Sequence, residues 1–184
     1  MDFKETKKEL ADFAKYVIQQ ARSNLTKEGK NNTSALYKSL DYEIDIEKGA
    51  ILVDFLMEDY GEFVDQGVKG KNPHSLPKGA KWSGIQKAPN SPFKFGRNKS
   101  RGLRKAINRW TIQKGLKGVR DAKGRFIGRK SLQYLITRSI YLSGLKATLF
   151  FTKPFNKGLQ RFTDKFLDAF ALDIENGIIL GTKK

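Results

Sequence analysis

Cysteine is absent from this chain, and histidine occurs once, at position 74. The first absence excludes disulfides, thiol nucleophiles and thiolate-ligated zinc together. The second excludes a multi-histidine metal site built by one subunit. Tryptophan is scarce, two residues against 13 phenylalanines, so apolar bulk in cores and interfaces falls to Phe. No apolar run approaches the roughly 20 residues of a membrane-spanning helix. The amino-terminal MDFKETKKEL lacks the apolar stretch of a signal peptide, so the expectation is a chain made and kept in the cytosol. Carboxylates are missing too, but only locally. Between Lys69 and Lys153 there are 22 Lys and Arg and a single acid, Asp121.

That local scarcity organises the rest. The chain has 184 residues and a net charge of +17. Residues 1–68 carry a net −5, residues 69–153 a net +21, and residues 154–184 a net +1. The basicity belongs to one middle segment, which suits a protein that meets a negative partner on one side. The length predicts a single domain over 1–184, with a basic arm inserted at about 69–101.

Apolar residues at Phe3, Leu10, Phe13, Val17, Ala21 and Leu25 predict a helix over 2–26. Strict alternation follows. Leu40, Tyr42, Ile44 and Ile46 share one face, while Asp41, Glu43, Asp45 and Glu47 share the other. A turn at Glu47–Gly49 predicts a return strand over 50–57. YGEFVDQG reads as a short helical turn with Tyr60, Phe63 and Val64 inward. Beyond it, Lys69–Arg101 has loop character and holds Pro73, Pro77, Pro89 and Pro92. Helices are expected over 103–116 and 131–142, the second burying Leu132, Leu135, Ile136 and Ile140. DAKGRFIGRK lies between them as a small basic turn or hairpin, and ATLFF follows as a buried strand or extended link. A last helix over 155–177 has an apolar face of Leu159, Phe162, Phe166, Leu167, Phe170 and Ile174. Helices and a small antiparallel sheet make an α+β fold.

No catalytic set emerges. His74 sits in NPHSLP with no acid nearby, and GVKGKNPHSLPKG lacks the GKS/T ending of a phosphate loop. Asp54, Glu58 and Glu62 with Lys69 have the residue types of a metal-dependent nuclease, but acids alternating along a strand are the commoner source of such a set. The expectation is a non-enzyme needing no cofactor or metal. The candidate contact residues are instead Lys94, Arg97, Lys99, Arg101, Arg104, Lys105 and Arg109, interleaved with Phe93, Phe95 and Trp110. Bases among aromatics hold phosphates and stack nucleobases. They can equally dock on an acidic protein face, and this chain has one at Asp41, Glu43, Asp45, Glu47, Glu58 and Asp65. Gly67 and Gly70 are read as the hinge from which the basic arm leaves. Docking on a neighbouring subunit or portal is the favoured reading; DNA contact comes next and solubility alone last.

The LYKSLDY stretch before the hairpin, the YGEFVDQG turn and the closing RSIYLSGLKATLFFTKPF carry a family likeness. Phe151, Pro154 and Phe155 match an aromatic–Pro–Phe signature. Trp110 and Arg138-Ser139-Ile140-Tyr141 match a Trp-bearing helix followed by an ARSIY-type helix. The chain resembles the tail-completion, or neck, proteins of tailed bacteriophages, with their tail-terminator-like and head–tail-joining relatives. Residues 69–100 depart from the pattern, being longer and more basic. The resemblance implies a non-enzymatic virion subunit in a homo-oligomeric ring, contacting portal and adjacent tail or connector proteins, with genomic DNA in the lumen as a further contact. It implies assembly in the host cytoplasm and no membrane. The competing class is a standalone nucleic-acid-binding protein using the same basic segment.

Overall fold

A computed structural model describes residues 3–29, 34–47, 50–71, 86–96 and 100–182. In chain order the elements are α1 (Lys4–Lys27), α2 (Ala35–Ser39), β1 (Asp41–Glu47), β2 (Ala50–Leu56), α3 (Gly61–Gln66) and α4 (Ser100–Gln113), then β3 (Gly118–Arg120), β4 (Phe126–Gly128), α5 (Arg129–Ser143) and α6 (Thr152–Thr182). The fold is α+β, with two small antiparallel sheets, β1–β2 and β3–β4. Where the sequence reading has one domain with an arm, the chain gathers into two compact units. The first joins Met1–Gly61 to Leu149–Lys184, and the second is Glu62–Thr148.

In the first unit α1 and α6 run antiparallel. Helical spacing on α1 buries Phe13, Ala14, Val17, Ile18, Ala21 and Leu25. Phe13 is the centre. Its ring meets Phe55 of β2 and Phe155, Phe162 and Phe166 of α6, all at centroid distances of 5.6–6.1 Å and steeply inclined. Such edge-to-face pairs add to the burial of the rings themselves. Arg22 fastens α2 and β1 to α1, its guanidinium donating to the carbonyls of Tyr37 (3.1 Å) and Leu40 (2.9 Å). The stretch after α5 forms no strand. It turns at Phe150 and Phe151, after Leu149 at φ +52°; Phe150 is fully buried and its carbonyl accepts from Asn24 Nδ2 at 3.2 Å. On α6, Phe162 and the half-buried Phe155 and Phe166 face this core, whereas Leu159, Leu167 and Phe170 are exposed at the rim. Phe170 stacks on Phe3.

Among the described residues, those buried in the second unit are more often polar. Ile107 and Thr111 of α4 are buried. On α5 the buried positions are Gln133, Thr137, Leu142 and Ser143, not the stripe of Leu132, Leu135, Ile136 and Ile140. Leu135 is exposed. The reason is an amide network: Gln133 Nε2 donates to Asn108 Oδ1 (2.6 Å) and to Thr111 Oγ1 (3.1 Å), drawing the polar side of α5 against α4. Asp121, the lone acid of the basic segment, organises the β3–β4 turn. Its carboxylate accepts from the backbone N–H groups of Lys123 (2.9 Å) and Arg125 (2.8 Å) and from Arg125 Nε (2.8 Å). These bonds, that from the Arg125 backbone foremost, hold its pKa below the usual carboxylate value.

One long-range bond set ties the ends of the first unit. The residue before α1, Phe3, supplies no side-chain cap. Asp173 of α6 does so from a distance, accepting from the N–H groups of Glu5 (3.1 Å) and Thr6 (2.8 Å) and from the Thr6 hydroxyl (2.7 Å). Burial acts to raise the Asp173 pKa, but these three bonds outweigh it and the net shift is downward. A depressed carboxylate pKa stabilises the fold above the unfolded value of about 3.9 and loses that contribution as pH falls through the folded value. Asp173→Ala is expected to lower stability at neutral pH by about 1–2 kcal/mol, as loss of a buried cap does. The deficit should shrink as the pH falls below about 4. Urea unfolding of both proteins at neutral and acid pH measures it, and an unchanged wild-type midpoint for the variant would contradict the capping role.

Candidate interaction surfaces

The acidic face is real but smaller than the sequence suggests. In the β1–β2 register Tyr42 pairs with Phe55, Ile44 with Val53 and Ile46 with Ile51, and these form the inner face. The outer face pairs Asp41 with Leu56, Glu43 with Asp54 and Asp45 with Leu52, all six exposed. Glu47 pairs with Ala50 through the backbone; its side chain lies outside the described residues. Glu43 therefore stands directly opposite Asp54, a like-charge pair that weakens a hairpin. Glu58 is exposed just beyond β2, with its N–H held by Ser39 Oγ at 3.1 Å.

Asp65 does not belong to this face. It is 4% exposed, because α3 turns Gly61, Val64 and Asp65 inward and Glu62, Phe63 and Gln66 outward. Thr148 closes over that side, its N–H donating to the carbonyls of Val64 and Asp65. Tyr60 and Phe63 are accordingly more exposed than the inward placement expected of them. Phe63 packs edge-to-face on Phe93 at 4.7 Å.

Gly67 and Gly70 are not a hinge. Val68 and Leu145 exchange both backbone hydrogen bonds, at 3.0 and 2.8 Å, and Lys71 N–H donates to the Tyr141 carbonyl at 2.9 Å. Gly67 has φ +73°, and a Cβ there would lie 2.5 Å from the Leu145 carbonyl oxygen. A Cβ on Gly70 would collide with the Leu142 carbonyl. Glycine is needed because two backbones touch. Nor does the whole of 69–101 stand free as an arm. Gln86 clamps Gly70 through both its amide atoms (3.0 and 2.8 Å), Lys87 N–H donates to Ser143, and Lys69 N–H donates to Phe93. Ser91 Oγ reaches the Gly67 carbonyl and Ala88 is buried. Residues 86–96 are stitched to the segment they were expected to leave.

The basic candidates divide accordingly. Lys94 is exposed, on backbone that bridges Lys69 in parallel. Arg104, Lys105 and Arg109 are exposed on α4. Arg101 lies in the first turn of α4, its side chain outside the described residues; Arg97, Lys99 and His74 lie wholly outside them. The packing of α5 adds Arg129, Lys130 and Arg138, all exposed, with Tyr134 and Phe126 beside them. The sequence reading missed these. For Phe126, Arg129 and Lys130 the signal was the basic–aromatic interleaving of GRFIGRK, the same pattern that singled out residues 93–110. Among the described residues only two ion pairs form, Lys15–Asp12 and Arg125–Asp121. Neither neutralises the hairpin acids or the cations of α4 and α5. Among the same residues no three carboxylates or imidazoles gather as a metal site, and no helix is long and apolar enough to cross a membrane.

Gly70→Ala is expected to destabilise the chain by more than about 1 kcal/mol, since the added methyl forces two backbones apart. Amide exchange at Val68 and Leu145 should accelerate. Native-like protection of both amides would restore the hinge reading.

Compared with protein-family models, with curated proteins and with solved structures, the chain matches none.

Proposed function

We propose that this chain is a structural virion subunit, a head–tail connector or tail-completion protein of a tailed bacteriophage. It would assemble head to tail into a ring between portal and tail. The observation that carries this reading is a pair of complementary patches, each without an ion partner among the described residues. On the hairpin, Asp41, Glu43, Asp45 and Asp54 surround the exposed Leu52 and Leu56. On α4, Lys105 and Arg109 lie at helical spacing before Ile112, which is 54% exposed.

The two patches are opposite in sign and alike in kind, since each sets apolar surface among charges. A neighbour's cations placed over Glu43 and Asp54 would relieve their mutual repulsion. Contact between two different patches on identical chains is heterologous, and such contacts close into rings when the rotation allows. The motifs YGEFVDQG and RSIYLSGLKATLFFTKPF supply the head–tail context.

Charge reversal tests it. Arg109→Glu and Asp45→Arg should each leave the fold intact, because substitutions at exposed positions change stability by no more than about 0.5 kcal/mol. Each should weaken self-association by at least about tenfold, and the double variant should recover most of the loss. Sedimentation velocity at low and high salt, with electron microscopy of rings on a portal, provides the readout. Wild-type assembly by both single variants would overturn the docking scheme.

A further inference from the structure

Beyond assembly, and independent of it, the second unit carries a site of different chemistry on the side of α4 that faces α5. Three concavities meet at Arg104. The first, of about 470 Å³, is lined by Arg104, Lys105, Asn108, Arg129, Lys130 and Gln133. The second, of about 530 Å³, brings Arg104 and Lys130 beside Phe126 and Tyr134, which are 66% and 56% exposed. The third is more closed, about 210 Å³, and is lined by Arg104, Tyr134, Thr137, Arg138 and Tyr141. Among the described residues, no carboxylate lines any of them. Five cations thus border these adjoining concavities with no counter-ion among the described residues.

Thr137 adds an independent sign. Its hydroxyl is buried and is the one buried side-chain polar atom among the described residues that lacks a hydrogen-bond partner. Native interiors seldom leave such a group unpaired unless a water or ligand completes it. Tyr141 is braced from elsewhere, by Phe95 at 5.7 Å and by Lys71 Nζ at 5.7 Å from its ring centre. The pocket wall is therefore held in place before any ligand arrives. The 15-residue helix α5 begins at Arg129 with no side-chain cap, so its free N–H groups add positive potential at the same rim.

Inorganic phosphate would account for the cations and leave the tyrosines unexplained. An apolar ligand would account for the tyrosines and leave the cations. A nucleotide accounts for both. The 210 Å³ pocket is smaller than the roughly 300–1,000 Å³ of drug-sized ligand sites, which suits one planar base and not a base pair. A base within a duplex hides its faces in the stack, so the base that enters must be unpaired.

We infer that this face binds single-stranded nucleic acid. One unstacked base occupies the pocket of Tyr134, Thr137 and Tyr141, with its polar edge completing the Thr137 hydroxyl. The flanking phosphates lie on Arg104, Arg138, Lys105, Arg129 and Lys130. Stacking and phosphate contact separate cleanly in solution, because only the second is strongly dependent on salt.

The test uses the full chain and a fluorescent oligothymidylate, followed by anisotropy across a salt series. Duplex of equal length and polyglutamate serve as competitors. The single strand should bind at least about tenfold more tightly than either competitor. Tyr134→Ala should weaken it about tenfold with the salt slope unchanged. Lys130→Gln should instead reduce the slope of log affinity against log salt by about 0.7. Thr137→Val keeps the side-chain shape and removes the hydroxyl, so it should weaken strand binding while leaving the thermal midpoint equal or higher. Equal binding of duplex or polyglutamate would reduce the face to a general polyanion patch and overturn the proposal. Strand binding insensitive to both Tyr134→Ala and Thr137→Val would overturn it too, as would no binding at low salt. None of these readouts requires ring assembly, so failure here and failure of the connector reading remain distinguishable.

Discussion

The first unit depends on the ring of Phe13. Four other rings, from β2 and from three positions along α6, stand edge-on or steeply tilted against it, so one side chain on α1 sets how the hairpin and the last helix are seated. Edge-to-face aromatic contacts are directional, and a shift of α6 by one residue would lose several at once. The Asp173 bonds to Glu5 and Thr6 reinforce that register from the far end of α1. Once Phe55 is drawn to Phe13, the period of two along a strand does the rest. Ile51 and Val53 must share its face, while Leu52, Asp54 and Leu56 must face the other way. The acidic surface is thus a consequence of the aromatic core.

The second unit is held by other means. Among the described residues its buried apolar side chains are few: Val68, Ala88, Ile107 and Leu142. Backbone bonds around Val68, Leu145, Lys71 and Gln86, and the amide contact of Gln133 with Asn108 and Thr111, bring its segments together. Close approach of backbones needs Gly67 and Gly70, which explains a glycine-bearing turn where the charge reverses. Packing α4 and α5 through short polar side chains leaves the long cationic ones at the rims. Arginines spaced along two helices thereby become neighbours around a groove. The two proposals follow from this: one side of α4 suited to an acidic protein surface, and a groove beside α5 suited to phosphates and a base, with Lys105 at the border of both.

Much was legible in the sequence because it was local. The helical spacing from Phe13 to Leu25, the alternation from Leu40 to Ile46 and the exposure of Asp41, Glu43 and Asp45 all follow from backbone periodicity, which a few residues fix. The charge reversal after Val68 and the absence of cysteine are equally plain without coordinates. Only tertiary structure decided the rest. Asp65 turned inward because Thr148, far along the chain, covers that side of α3. Gly67 and Gly70 became contact points because residues 142–145 lie against them. α5 buried Gln133 and Thr137 in place of Leu135 because a partner amide waited on α4. A side chain's partner from a distant segment leaves no period in the sequence, so what each residue does could be read only where its own neighbours set it.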